Sequence, residues 1–312
     1  FMGAGCEFGE TADESPPAAF VSLLASGELV GYSASGDEVG RVKLGGQLVS
    51  PVSGAYIAVI DERRVAVLDA EARPNRLALV DLEQWAVLRR SQLPSGSTFR
   101  NLAVGPRTGR FYVAGDRPTN QMTSFGSPAN VAVLAVLGQD GEVIRTAVLR
   151  DPETTPGPVA PYDWSVYSIA VGEREDWIYV SYHGPNTSGA DSIANRGGRL
   201  VRCDSSGEGG VGCLQPVHGR VEIHGGGILA STGTPPRLVA LDADATLRDR
   251  WSSGFATSAH LMEFARVGNR AFGLESCPKL GGLTSIDLDG DEALVIAAPA
   301  PPGTTIPDGV CG

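Results

Sequence analysis

Leu102-Ala-Val-Gly-Pro-Arg-Thr-Gly-Arg-Phe-Tyr-Val-Ala114 returns without a gap as Ile169-Ala-Val-Gly-Glu-Arg-Glu-Asp-Trp-Ile-Tyr-Val-Ser181. Each stretch reads as an apolar strand, a polar turn and a second strand with an aromatic residue near its start. Weaker copies lie at 56–68, 221–230 and 261–274. After each copy comes a loop, then an apolar strand ending near an acidic residue, then a turn and an alternating strand. Those second hairpins begin at Leu77-Ala-Leu-Val-Asp81, 131–137, Leu200-Val-Arg-Cys-Asp204, Leu238-Val-Ala-Leu-Asp242 and Leu283-Thr-Ser-Ile-Asp287. The segment 28–44 supplies a further unit, with its turn at Ser35-Gly36.

Four short strands per period of roughly 40–50 residues are the signature of propeller blades. A blade cannot bury both faces alone, so neighbours must stack and the ring must close. Five four-stranded units are visible, plus an N-terminal unit over 20–44 with three strands. The expectation is an all-β propeller of six blades, with seven as the alternative. The strand missing from the first unit would come from residues after Ile296 or before Ala19, so that N- and C-terminal segments close the ring.

The two strong copies resemble the YVTN-type propeller repeat, in which a strand, a turn ending in Gly and a Tyr-Val strand precede a strand ending in Asp. This sequence departs from that pattern. Gly109 of the turn becomes Asp176 in the next copy, and the Tyr-Val pair is absent from the last two. The resemblance implies a β-propeller outside the cytoplasm and no particular activity, because propellers host many functions.

Composition agrees with a β-rich chain. Among 312 residues, 41 glycines and 21 prolines suit many short strands and turns, and 42% hydrophobic residues can fill a core. The net charge of −11 argues against nucleic-acid and anionic-membrane binders, which carry a basic footprint. The only lysines are Lys43 and Lys279, a composition that resembles GC-rich bacterial coding.

Cys203 and Cys213 bracket a polar, Gly-rich loop, and a disulfide between them would restrain it. Cys277 and Cys311 would pin the C-terminal tail in the same way. Free buried thiols are the alternative for all of them. Two disulfides imply an oxidising compartment. The odd cysteine, Cys6, follows Ala4-Gly5, which resembles the end of a bacterial lipobox, although Gly3 stands where that motif has leucine. Lipidation would then anchor the chain through an acidic, Ser/Pro-bearing tether. Cys6 otherwise stays free or competes with Cys277 for Cys311. The expected organisation is a tether over 1–17, one propeller domain over 18–300 and a pinned tail over 301–312.

The repeated aspartates Asp81, Asp204, Asp242 and Asp287 read first as turn caps, because a short carboxylate at a strand end satisfies backbone N–H groups. Asp287-Leu-Asp-Gly-Asp-Glu292 lacks the remaining positions of a calcium loop. Trp85 and Trp177 read as packing between blades. The richest loop runs from Tyr182 through His183, Asn186 and Asp191 to Arg196, and Tyr162, Asp163 and Trp164 lie in a second. Their mixture of aromatic, amide and charged groups suits a polar ligand or a protein surface, although long loops also need such residues merely to turn.

The reading is a non-catalytic extracytoplasmic propeller without a cofactor, serving as a binding or accessory subunit of an envelope protein complex. Its contact residues would be Tyr162, Trp164, His183, Asn186, Asp191 and Arg196, and its link to the membrane a lipid at Cys6. The alternative is a lactonase- or lyase-type enzyme holding one divalent metal such as Ca²⁺ at the channel mouth. His183, His260, Asp163 and Asp191 would then surround the metal.

Overall fold

The computed structural model of the chain describes residues 18, 20–24, 26–44, 57–69, 74–122, 128–149, 165–183, 198–204, 211–213, 217–232, 237–243, 247–251, 263–267, 269–274, 283–288 and 293–296. These residues form antiparallel meanders and no helix. The first sheet holds β1 (Phe20–Leu23), β2 (Glu28–Tyr32) and β3 (Glu38–Lys43). The second holds β4 (Ile57–Val59), β5 (Arg64–Asp69), β6 (Arg76–Asp81) and β7 (Ala86–Gln92). The third holds β8 (Thr98–Val104), β9 (Phe111–Met122), β10 (Pro128–Leu137) and β11 (Val143–Val148). The fourth holds β12 (Ser165–Val171), β13 (Trp177–His183), β14 (Gly198–Asp204) and β15 (Val211–Cys213). The fifth holds β16 (Val217–His224), β17 (Gly227–Thr232), β18 (Arg237–Leu241) and β19 (Leu247–Trp251). The last holds β20 (Glu263–Val267), β21 (Arg270–Leu274), β22 (Leu283–Asp287) and β23 (Ala293–Ile296).

The apolar runs are unbroken because successive side chains point to opposite faces and both faces are covered. Along β9, Phe111 and Val113 pack with Leu68 and Leu77 of the second sheet, while Tyr112 and Ala114 pack with Ile178 and Val180 of the fourth. On β5, Val65 and Val67 meet Leu29 and Val42 of the first sheet, and Ala66 and Leu68 meet the third. Tyr179 and Leu200 carry the same packing on to Ile228 and Leu241 of the fifth sheet. The core is therefore a series of layers between sheets, each built from two alternating faces. The first strands β4, β8, β12, β16 and β20 touch one another in that order, which brings them together along one inner edge.

The sequence left open which strand the first sheet lacks, and the ladders answer it. Third-to-fourth-strand pairs in the second, third and fifth sheets each carry a bulge, opposite Leu79/Val80, Val136/Leu137 and Ala240/Leu241. The β2–β3 ladder has the same irregularity at Gly31/Tyr32. Trp85, in the turn between the third and fourth strands of the second sheet, also lies against Gly31 and Gly40, on β2 and β3. So β1, β2 and β3 are the second, third and fourth strands of their unit. Among the described residues, β1 has no neighbour on the side where the other sheets carry their first strand.

Candidate functional site

The meander gives the sheets two unlike ends. Turns between first and second strands, and between third and fourth, leave one end. They include the short turns at 82–85, 105–110, 138–142, 172–176 and 225–226. The longest intervals, 45–56, 150–164, 184–197 and 252–262, all connect strands at the opposite end. This sorting is topological, and it decides where a site can form.

The short-turn end is locked sheet to sheet. Glu175, in the turn between β12 and β13, is buried at φ 59, a left-handed conformation that non-glycine residues rarely adopt. Its carboxylate crosses to the third sheet. There it accepts the backbone N–H groups of Arg107 and Thr108, the Thr108 hydroxyl at 2.6 Å and, at 3.4 Å, the Tyr112 hydroxyl. Burial alone would raise the Glu175 pKa, but the bonds from Thr108, Arg107 and Tyr112 outweigh it and hold the carboxyl below its ordinary value. Burial, followed by the Glu175 charge, pushes the Tyr112 hydroxyl up. In the preceding copy the left-handed residue is Gly109, at φ 61. Where Asp176 replaces that glycine, the left-handed position moves one residue earlier, onto Glu175.

Other pairs of sheets use other locks. The Trp85 ring fills the space where Gly31 and Gly40 lack side chains; a Cβ on either would come within 2.0 Å and 1.8 Å of it. The Ala243 carbonyl accepts Tyr179 Oη at 3.0 Å and an Arg202 N–H at 2.6 Å, and the Arg202 guanidinium lies 4.0 Å from the Trp177 ring centre. Arg89 reaches Glu142 at 3.2 Å. Trp85 and Trp177 thus pack between sheets as read from the sequence, and Asp81 caps its turn by accepting Glu83 N–H and Gln84 N–H at 2.8 Å.

The sequence-read loops join strands at the long-interval end. His183 is the last residue of β13, paired with Ser165 on one side and Gly198 on the other. The intervals holding Tyr162, Asp163 and Trp164, and Asn186, Asp191 and Arg196, therefore leave the fourth sheet from one edge. Those six residues lie outside the described residues, as do His260, Cys6, Cys277 and Cys311. Among the described residues, no three His, Cys, Asp or Glu side chains gather as a metal-holding group.

The expected Cys203–Cys213 disulfide is not formed. Register places Cys213 opposite Leu200, three positions from Cys203, so their backbones are about 10 Å apart along the strand, beyond the roughly 7 Å a disulfide spans. Cys203 is a free, fully buried thiol that donates to the Ile178 carbonyl across the ladder at 3.7 Å. Burial, followed by the charge of Asp204, pushes its pKa up to about 12. It belongs to the core between the third and fourth sheets.

Near the same end, the inner edge carries polar residues that the sequence reading did not single out. The first strands of three sheets are irregular at matching places: Arg100 is extra between Phe99 and Asn101, Tyr167 between Val166 and Ser168, and 218–220 between Val217 and Val221. A bulge forfeits ladder bonds, and a side chain from the preceding sheet replaces them. Asn75 accepts Phe99 N–H at 2.8 Å, Asp116 accepts Val166 N–H at 2.9 Å and Ser168 accepts Val221 N–H at 3.2 Å. Asn101 donates to the Val166 carbonyl at 3.3 Å. Arg100 lies 3.9 Å from Asp116, and Arg220 lies 2.9 Å from Glu222. The gapless repeat held the signal: Arg100 precedes Leu102, and Tyr167 precedes Ile169, by the same two residues.

No protein-family model matches the chain, and no curated protein matches it in sequence. Solved structures do match in fold. The β-propeller domain of Myceliophteria thermophila Cps50 (Swd1) has a TM-score of 0.56 at 11% identity, over 91% of this chain and 88% of that one. The Dos1 propeller has a TM-score of 0.51 at 12% identity over 88% of this chain, which spans only 64% of that protein's length. The Pseudomonas brassicacearum lignostilbene dioxygenase has a TM-score of 0.55 at 14% identity, over 91% and 71% of the two chains. At such identities the likeness concerns architecture alone, and these neighbours include an enzyme beside propellers named only for their fold. The chain has a β-propeller fold.

Proposed function

We propose that the protein is a non-catalytic, extracytoplasmic binding propeller that docks another envelope protein on its long-interval end. The observation that carries this reading is the division of labour between the two ends. Interlocked turns occupy one, while the longest intervals all leave the other, where a partner can be met without disturbing the core. Tyr162, Trp164, His183, Asn186, Asp191 and Arg196 are the proposed contact residues. The excess of acidic residues favours a protein partner over nucleic acid.

The proposed ring has six blades. The innermost strand that the first sheet lacks would come from residues after Ile296 or before Ala19, because a first strand follows a fourth, such as β23, and precedes a second, such as β1. The lipobox-like Ala4-Gly5-Cys6 supports a lipid anchor, and a Cys277–Cys311 bridge would tie down the tail. The extracytoplasmic assignment rests on these two features and the repeat resemblance, without help from Cys203.

Native mass spectrometry of the protein gently extracted from its source membranes tests the reading. A heavy assembly of fixed stoichiometry is expected. A lone monomer carrying one divalent metal would overturn it and move attention to His183 and His260.

A further inference from the structure

We propose that a cleft between the first and second sheets binds a small aromatic carboxylate, with the ring held between the sheets and the acid group on Arg76. This goes beyond protein docking and uses none of the loop residues assigned to it. The cleft encloses about 360 Å³ of empty space, part of it open to solvent. That is the low end for ligand pockets and suits a molecule of one ring. Leu23 ends β1, Asp69 ends β5 and Arg76 begins β6, so the cleft lies at the long-interval end of these two sheets. The next interface shows what fits there. Between the second and third sheets, Phe99 is wholly buried in a cluster with Leu68, Leu93, Val113, Val133 and Ala135. Leu23, Leu44, Val67, Arg76 and Ala78 take the matching places around the cleft. Leu23 pairs with Leu29 as Leu68 pairs with Leu77, and Val67 pairs with Ala78 as Val113 pairs with Ala135. Arg76 and Val133 each sit two residues before those alanines. Leu44 and Leu93 each follow a fourth strand and donate their N–H to the turn between the second and third strands, at the carbonyls of Gly27 and Asn75.

What the cleft lacks is the ring. Phe99 lies three residues before Leu102, which pairs with Val113. Ile57 pairs with Val67 in the same way, and three residues before it the sequence has Gly54, outside the described residues. A slot whose counterpart holds a phenyl ring, and whose own sequence offers a glycine instead, suits a ring brought by a ligand. The mouth sets the ligand's charge. In the place of Val133 stands Arg76, exposed and without a side-chain partner among the described residues. Arg90 lines the same cleft and donates one N–H to the Leu44 carbonyl at 3.3 Å. Asp69 also lines it and is engaged in interactions of its own, so two guanidiniums stand against one carboxylate. A guanidinium receives a carboxylate through two parallel hydrogen bonds. The net charge of −11 opposes this little, because charges farther than about 8 Å are screened at physiological salt. A neutral aromatic would leave Arg76 unused, and a small aliphatic acid would leave the slot unfilled.

Isothermal titration calorimetry on the whole protein tests this with benzoate, phenylacetate and 3-phenylpropionate, and with acetate and 2-phenylethanol as comparators. At least one aromatic acid is expected to bind about tenfold or more tighter than either comparator. Arg76→Gln should weaken that acid about tenfold and leave 2-phenylethanol within about twofold. Ala78→Val, which narrows the slot, should weaken the acid about fivefold. Thermal melts identify a variant that has lost its fold, and the other then decides. No binding by any aromatic acid overturns the proposal. So does a comparator that binds as tightly, or acid binding that either folded variant leaves unaltered. Because the loop residues are untouched, a lone monomer in native mass spectrometry leaves this result standing, and failure here leaves the docking reading standing.

Discussion

Replacing Glu175 by alanine strips the acceptor from two backbone N–H groups, the Thr108 hydroxyl and the Tyr112 hydroxyl at once. Hydrogen bonds to a charged group contribute about 1.5–3 kcal/mol each when buried. The Tyr112 contact is long, the turn is partly wet, and bonds to one carboxylate are not additive. The expected loss is therefore about 3–5 kcal/mol, or about 5–10 °C in melting temperature for a chain of this size. Alanine keeps the left-handed strain that Glu175 already bears, so that term cancels. Glycine relieves it, and Glu175→Gly should be about 1 kcal/mol less damaging than Glu175→Ala. Acid supplies a second reading of the same lock. The folded carboxyl has the lower pKa, so its contribution is full above the ordinary glutamate range and fades as pH falls through the folded value. The gap in urea stability between parent and Glu175→Gln should be widest near neutral pH and should close toward strongly acidic conditions. An alanine variant within about 0.5 kcal/mol of the parent, or a gap that widens in acid, would refute the reasoning.

Other positions yield simpler expectations. Trp85→Ala should cost about 3–5 kcal/mol in urea unfolding, because Gly31 and Gly40 leave nothing else to fill the space under the ring. Gly40→Ala should fail for the converse reason, giving little folded protein on expression. Cys203 should be unreactive to a thiol reagent in the folded protein and reactive once it is unfolded, and Cys203→Ala should leave any effect of reductant on stability unchanged. Ile144→Lys, at an exposed bulge of an outer strand, should shift stability by no more than about 0.5 kcal/mol.

Hydrophobic alternation and turn residues made the hairpins legible, since strands with two covered faces must be apolar throughout. The paired copies at Leu102 and Ile169 are β8–β9 and β12–β13, and Asp81 caps a turn as its place at a strand end required. Register was not legible. Cys203 and Cys213 look like a bracketed pair along the chain, but the β14–β15 ladder sets Cys213 against Leu200, and nothing in the spacing of two cysteines fixes a ladder. Bulges escaped for a related reason: the residue that breaks alternation at Arg100 or Tyr167 is set by bonds from the neighbouring sheet. The role of Glu175 was not legible because a glutamate in a turn is ordinarily solvated, and its four donors come from residues more than sixty positions away.

The stitched bulges also set the phase in which such a chain can grow by duplication. Asn75 completes β8, Asp116 and Asn101 complete β12, and Ser168 completes β16, so each unit carries the groups that finish its successor rather than itself. A copied segment cut at the loops between sheets brings its own set of hydrogen-bonding side chains and finds its predecessor's waiting, and the series extends without an orphaned amide. A copy cut within a sheet, between the bulge and the residue that serves the next one, arrives out of step at both joints. Heredity in this fold therefore has a reading frame longer than a codon, and its boundaries fall in the loops between sheets.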